Sequence, residues 1–177
     1  MTVLFVSDLH LSAERPEKLS LFKQLMQGPA RTADAFYILG DLFDQFWIGC
    51  DDSQSPNPEI ITILKDYTST SKTPLFIIRG NRDFHLDSQF AEITGCQLID
   101  DPSEIRLDDK KILLMHGDTL CTDDTKYQQW RCFITHPFVK WIYALFPLGF
   151  RKHIAHNVRS YTAEAVRKKP AELTDVS

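Results

Sequence analysis

Four short runs of this chain are apolar almost without a break: VLFV at 3–6, AFYIL at 35–39, LFII at 75–78 and KILLM at 111–115. Each is rich in β-formers and lacks polar alternation, the pattern of strands covered on both faces. Between the first two, RPEKLSLFKQLMQGP puts Leu19, Phe22 and Met26 on one helical face with Leu25 beside it. Pro16 suits the first turn of that helix, and Gly28-Pro29 stops it. The same reasoning predicts a second helix over about 58–67 and a third over about 87–94, with Gly95 just past its end. A hairpin around Asp108-Asp109-Lys110 joins IRL to KILLM. Strand and helix alternate, so the class is α/β.

After Cys121 the pattern changes. The segment QQWRCFITHPFVKWIYALFPLGFRKHIAHNVRSYTAEAVRKK interleaves aromatic residues with cations at helical spacing, broken at Pro137 and Pro147. It reads as two or three helices forming a cap. The expected organisation is one domain over 1–177, with an α/β body at 1–121, a basic and aromatic cap at 122–169, and a tail at 170–177.

Charge sharpens this division. Between Thr125 and Lys169 nine Lys or Arg stand against the single acid Glu164, a local +8, so the rest of a chain of net charge −4 carries −12. An acidic body with a basic C-terminal segment suggests a cation site in the first and an anionic partner at the second. With 43% hydrophobic residues in 177, the chain can bury a core, which excludes a disordered class. Trp141 to Phe150, the longest apolar stretch, is broken by Pro147 and Gly149 and falls short of the roughly 18 residues of a spanning helix. No basic leader precedes the first strand, so no signal peptide is expected. Cys50, Cys96, Cys121 and Cys132 form no CxxC pair and are expected to be free thiols in a reducing compartment.

Each apolar run leads into a polar cluster: Asp8-Leu9-His10, then Gly40-Asp41-Leu42-Phe43-Asp44, then Gly80-Asn81-Arg82-Asp83, then His116-Gly117-Asp118. Alone, each is an ordinary capped turn or a hydrogen-bonded rim residue. Four in order at successive strand ends are a different matter, because open α/β sheets bind ligands at the carboxyl ends of their strands. Residues two apart on an extended chain share a face, so Asp8 and His10 are expected to point the same way.

Asp8, His10, Asp41, Asn81 and His116 offer hard oxygens, two imidazoles and no thiolate, which suits manganese, iron or magnesium-like ions better than structural zinc. Asp41, in the middle, is the natural bridge between two ions. Two metals about 3.5–4 Å apart can activate water and stabilise both oxygens of an in-line attack on phosphorus. Asp44, Asp83 and Asp118 are candidates for orienting imidazoles or helix ends around them.

The order DLH, GDLFD, GNRD, HGD resembles the calcineurin-like metallophosphoesterases. GDLFD, GNRDF and MHGDTLCTDD, with Arg82 where many members have His, are similar to the branch that hydrolyses UDP-2,3-diacylglucosamine. The resemblance runs through essentially the whole chain. It implies a double-sheet α/β sandwich flanked by helices, and two Mn2+ ions, one held by Asp8, His10 and Asp41 and the other by Asp41, Asn81 and His116. It further implies substrate contacts at Asn81, Arg82, Asp124, Thr162 and Lys169, and hydrolysis of the diphosphate to UMP and 2,3-diacylglucosamine 1-phosphate (lipid X) in lipid A biosynthesis. Arg82 has a physical warrant as well, since a fixed guanidinium beside two cations can fork onto diphosphate oxygens. Enzymes of this kind close the site with Gly-His-x-His beyond the cap, and no Gly-His pair occurs here. The chain is therefore expected to be C-terminally incomplete, each ion lacking one ligand.

The cap has three readings: a packed subdomain with a solvated basic face, a membrane-surface element including an acyl-chain groove, and a nucleic-acid surface. The resemblance favours the second. It implies a peripheral enzyme on the cytoplasmic face of the inner membrane, binding an anionic membrane surface, with no nucleic acid and no obligate protein partner. The rival readings are an inactive fragment that still binds metal or lipid, and a dinuclear phosphodiesterase or nuclease with another substrate.

Overall fold

The computed structural model describes residues 1–54 and 56–168, with side chains through 159. The chain divides into two compact units, Met1–His116 and Gly117–Ser177.

The first unit is built on four parallel strands in the order β1 (Val3–Val6), β2 (Ala35–Leu39), β3 (Leu75–Ile78) and β4 (Gln97–Ile99). They alternate with α1 (Pro16–Gln27), α2 (Asn57–Thr70) and α3 (Ser88–Thr94). Strands that neighbour one another in chain order, joined by right-handed crossovers, place their helices on one face of the sheet. The packing shows this. Phe36, Ile38, Leu75 and Ile77 share one buried cluster with Leu19, Phe22 and Met26 of α1, Ile60, Leu64 and Tyr67 of α2, and Phe90 of α3. Each such side chain contributes about 1.5–3 kcal/mol by leaving water.

The other face carries the alternate residues of the same strands. Ala35, Tyr37 and Ile78 pack with Leu114, and Phe76, Ile105 and Ile112 lie against them. Leu114, Ile105 and Ile112 belong to an antiparallel hairpin of β5 (Ser103–Leu107) and β6 (Lys110–Leu114). Two sheets thus enclose a second core, the arrangement the resemblance implies. The runs of β2 and β3 are nearly continuous because helices cover one face of those strands and the hairpin the other, whereas β1, at the sheet edge, has no fully buried residue and leaves Phe5 exposed, against the expectation for its run.

The limits of β1, β2 and β3 match the apolar runs, and β6 is displaced by one residue from KILLM. α2 runs further at each end than its apolar stripe. In α3, Asp87 accepts the Phe90 N–H at 2.9 Å as N-cap, and Gly95 takes a left-handed φ of 71°. The three-residue β4 was not expected. His116 differs in origin from the other clusters, because the strand before it pairs in the hairpin and not in the parallel sheet.

The second unit contains α4 (Thr125–Thr135), α5 (Pro137–Leu145) and α6 (Leu148–Lys168). Asp124 caps α4 by accepting the Tyr127 N–H at 3.1 Å, and His136 caps α5 through the Phe138 N–H at 3.2 Å. Asp118 holds α4 from the side, accepting from the Tyr127 hydroxyl and, at 2.8 Å, from Arg131 Nε. On α5 the side chains of Phe138, Trp141, Ile142 and Leu145 form an apolar stripe at helical spacing that faces solvent, with Trp141 59% and Leu145 65% exposed.

Candidate metal centre

Past the ends of β1 and β2 the two chains stay side by side. The N–H groups of Asp8, His10 and Leu11 donate to the carbonyls of Gly40, Asp41 and Leu42 at 3.1, 2.9 and 3.0 Å. Asp44 N–H returns a bond to Leu11 at 3.1 Å. The backbone between these bonds is unusual. Asp8, His10 and Asp41 have φ of 54°, 46° and 54°, and only Asp108 at the hairpin turn joins them among described non-glycine residues with positive φ. Left-handed conformations of this kind cost of order 1–3 kcal/mol and persist where surrounding structure enforces them, characteristically at functional sites.

The conformation brings Asp8 and His10 to the same side, as expected, but by a different route. The expectation assumed an extended chain, whereas the two residues lie on a left-handed loop. Asp8, His10 and Asp41 each present a ligand atom, all within 4.8 Å of one another. His10 Nε2 stands 3.8 Å from Asp8 Oδ1 and 3.6 Å from Asp41 Oδ2. On the other side of the same carboxylate, His116 Nε2 stands 3.7 Å from Asp41 Oδ1. His116 Nδ1 lies 2.9 Å from the Leu39 carbonyl, so the proton belongs on Nδ1 and the lone pair on Nε2 faces Asp41.

Asp41 therefore lies between two imidazoles, one oxygen toward each. Two glycines make this possible. A Cβ on Gly40, at φ 92°, would meet His116 Nδ1 at 2.5 Å, and a Cβ on Gly80 would meet Asp41 Oδ1 at 2.3 Å. Gly80 leads directly into Asn81 and Arg82. The Arg82 N–H donates to Asp41 Oδ1 at 2.8 Å, while its carbonyl accepts from Trp47 N–H at 2.9 Å. Its guanidinium carbon sits 5.5 Å from the centroid of the Phe46 ring.

Behind this layer Asp83 is fully buried, its carboxylate accepting the N–H groups of Leu42 at 2.9 Å and Phe43 at 3.4 Å. It thus fixes the Asp41 loop by its backbone. Burial and the neighbouring Asp41 charge push its carboxyl up to about 7, against the pull of those two N–H groups and of His116. Burial likewise raises Asp41, opposed by the Arg82 N–H and by the charges of His116, His10 and Arg82. Asp8, His10 and Asp41 thus offer one cluster of oxygen and nitrogen ligand atoms, and His116 faces the other oxygen of Asp41. Hard divalent cations fit that donor set.

Of the other expected site residues, Asp44 binds through its backbone to Leu11. Asp118 and Asp124 lie in the second unit, where their carboxylates hold and cap α4. The side chain of Thr162 and the whole of Lys169 lie outside the described residues. Sequence reasoning missed Phe46, Trp47 and Lys18. Lys18 of α1 donates from Nζ to the Leu9 carbonyl at 3.0 Å, between Asp8 and His10. No spacing rule announces any of the three, since each acts across the fold.

The chain belongs to the calcineurin-like phosphoesterase family, whose pattern it matches over residues 1–167. It is 41% identical to a protein of Aliivibrio fischeri (strain MJ11) named UDP-2,3-diacylglucosamine hydrolase, over 100% of this chain and 73% of that one. Proteins of the same name from Pseudomonas entomophila (strain L48) and Vibrio vulnificus (strain YJ016) are 42% and 41% identical. Those matches cover 99% and 100% of this chain and 72% of each relative.

Proposed function

We propose that this chain hydrolyses the diphosphate of UDP-2,3-diacylglucosamine to UMP and 2,3-diacylglucosamine 1-phosphate, the step its relatives' name describes. The observation that carries the reading is Asp41, buried between His10 and His116 and fastened to the Arg82 loop, in a chain about 41% identical to those relatives along its whole length.

Asp8, His10 and Asp41 hold one ion, and Asp41, Asn81 and His116 hold a second, with manganese as the expected metal. Bound there, two such ions supply Lewis-acid activation of water and neutralise charge at phosphorus. The remaining work falls to the chain. His116 keeps its Nδ1 proton on the Leu39 carbonyl and so stays oriented. Asp83 holds the backbone that carries Asp41. Arg82 engages the diphosphate oxygens, with Asn81 beside it. The leaving group is already a phosphate anion, so the reaction calls for no protonated side chain to expel it. Asp124, Thr162 and Lys169 are proposed as further substrate contacts.

The basic second unit, with the solvent-facing stripe of α5, is the proposed seat on an anionic lipid surface, at the cytoplasmic face of the inner membrane. None of the described helices is long and apolar enough to cross a membrane.

The test is chromatographic detection of UMP when purified protein, Mn2+ and UDP-2,3-diacylglucosamine are mixed. Manganese-dependent UMP supports the reading. Metal binding without UMP identifies a binding fragment. Hydrolysis of bis-p-nitrophenyl phosphate or DNA, with the lipid nucleotide untouched, identifies a phosphodiesterase of other specificity.

A further inference from the structure

Arg82 is held at three points, two of them from one loop. Its N–H is taken by Asp41 and its carbonyl by Trp47 N–H, which fixes the backbone. Its guanidinium carbon lies over the ring of half-buried Phe46, the residue before Trp47, 5.5 Å from the centroid. No carboxylate forms an ion pair with Arg82 among the described residues.

The choice of partner has a chemical consequence. A carboxylate would orient the side chain, but it would also neutralise the charge and occupy part of the five-donor fork. An aromatic face attracts the cation through its quadrupole and leaves the N–H edges open. Arginine loses rotamer freedom when it clamps a ligand, and holding it beforehand removes part of that cost. The contrast with Arg31 is informative. Arg31 also lies over an aromatic ring, Tyr67 at 5.7 Å, yet its donors are spent on Asp66, Thr70 and the Met26 carbonyl. Arg31 is a structural tie, whereas Arg82 keeps its donors.

We propose that Phe46 is a positioning residue for the reaction: its ring holds the Arg82 guanidinium as an oriented, charged and unspent fork for the substrate's diphosphate. This rests on the diphosphate reading given above. Phe46 touches Arg82 and acts on the substrate only through it. Leucine keeps apolar bulk at the position but has no quadrupole, and tryptophan is the stronger cation partner, so the two substitutions separate packing from positioning.

The experiment compares wild type, Phe46→Leu, Phe46→Trp, Arg82→Ala and the Phe46→Leu/Arg82→Ala pair, by two readouts. In kinetics with UDP-2,3-diacylglucosamine and Mn2+, Phe46→Leu lowers kcat/KM about 3- to 10-fold, chiefly through KM, and Phe46→Trp stays within about twofold of wild type. In the Arg82→Ala background Phe46→Leu has no further effect. In NMR of the metal-free proteins, the Arg82 Nε–H resonance is displaced by the ring current in wild type and Phe46→Trp, and returns to its ordinary position in Phe46→Leu. Wild-type behaviour of Phe46→Leu in both readouts overturns the proposal. So does an equal loss with and without Arg82. If wild type itself releases no UMP, the diphosphate reading fails, and the resonance alone decides whether Phe46 holds Arg82.

Discussion

The backbone N–H of Arg82 lies 2.8 Å from the buried Oδ1 of Asp41, so the loop presenting the arginine is fastened to the carboxylate between the two imidazoles. One side chain thereby couples two strand ends. Asparagine at position 41 retains an oxygen for that N–H and loses the charge. Asp41→Asn is expected to lower Mn2+ affinity more than about tenfold, while its metal-free unfolding midpoint stays at or above wild type, because a buried charge is removed. Metal titration and thermal circular dichroism check the two halves.

Gly80 has no room for a side chain. A Cβ there would meet Asp41 Oδ1 at 2.3 Å and Asp41 N at 2.4 Å, and the second of these is backbone. Gly80→Ala is expected to destabilise the protein by about 1–3 kcal/mol and to weaken Mn2+ binding, as the Asp41 loop shifts. Gly149→Ala, which meets nothing within 4 Å, is the matched control. Chemical denaturation of both variants gives the comparison.

Lys18 donates to the Leu9 carbonyl, pinning the loop that carries Asp8 and His10 in left-handed conformations. Lys18→Met keeps the stem and removes the donor. It is expected to cost about 0.5–1.5 kcal/mol in stability, and to weaken Mn2+ binding although Lys18 is no ligand. Unchanged stability and unchanged metal affinity, measured together, would show that the loop holds itself.

Much of this architecture was legible in the chain, for physical reasons. Strands covered on both faces must be apolar at nearly every position, so β2 and β3 announce their own limits, and β1 does so by its β-forming run although its place at the sheet edge leaves Phe5 exposed. Asp87 and Gly95 bracket α3 because a helix needs an acceptor at one end and tolerates a left-handed residue at the other. Other features depend on distant partners. β4 is three residues whose pairing with β3 decides their state. KILLM reads like the parallel strands, and only its register with Ser103–Leu107 shows that His116 enters from the second sheet. The ligand types at 8, 10, 41, 81 and 116 could be chosen from the sequence. The left-handed turns that aim Asp8 and His10, and the Phe46 and Trp47 contacts to Arg82, join positions that no local pattern connects.

The α5 stripe gives an independent expectation. Trp141 and Phe138 are exposed and stacked on each other with centroids 6.0 Å apart, on a helix that also carries Lys140. Vesicles containing anionic phosphatidylglycerol should shift the tryptophan emission to the blue and sediment the protein. Zwitterionic vesicles should do so less, and Trp141→Ser should reduce both effects. Equal behaviour with either lipid would leave the basic residues without a part in membrane binding.

Hydrolysis of a nucleoside diphosphate lipid at the strand-end cluster requires that the diphosphate disappear only when the metal and Asp41 are both present. Phosphorus NMR follows this in UDP-2,3-diacylglucosamine incubated with purified protein, each spectrum being recorded after the paramagnetic Mn2+ has been removed on a chelating resin. With Mn2+ the two coupled diphosphate resonances should decay into two phosphomonoester resonances, those of UMP and the sugar phosphate, and with EDTA or with Asp41→Asn they should persist. Diphosphate resonances that persist with Mn2+ bound to wild type, or that decay equally with Asp41→Asn, would rule out hydrolysis at this cluster.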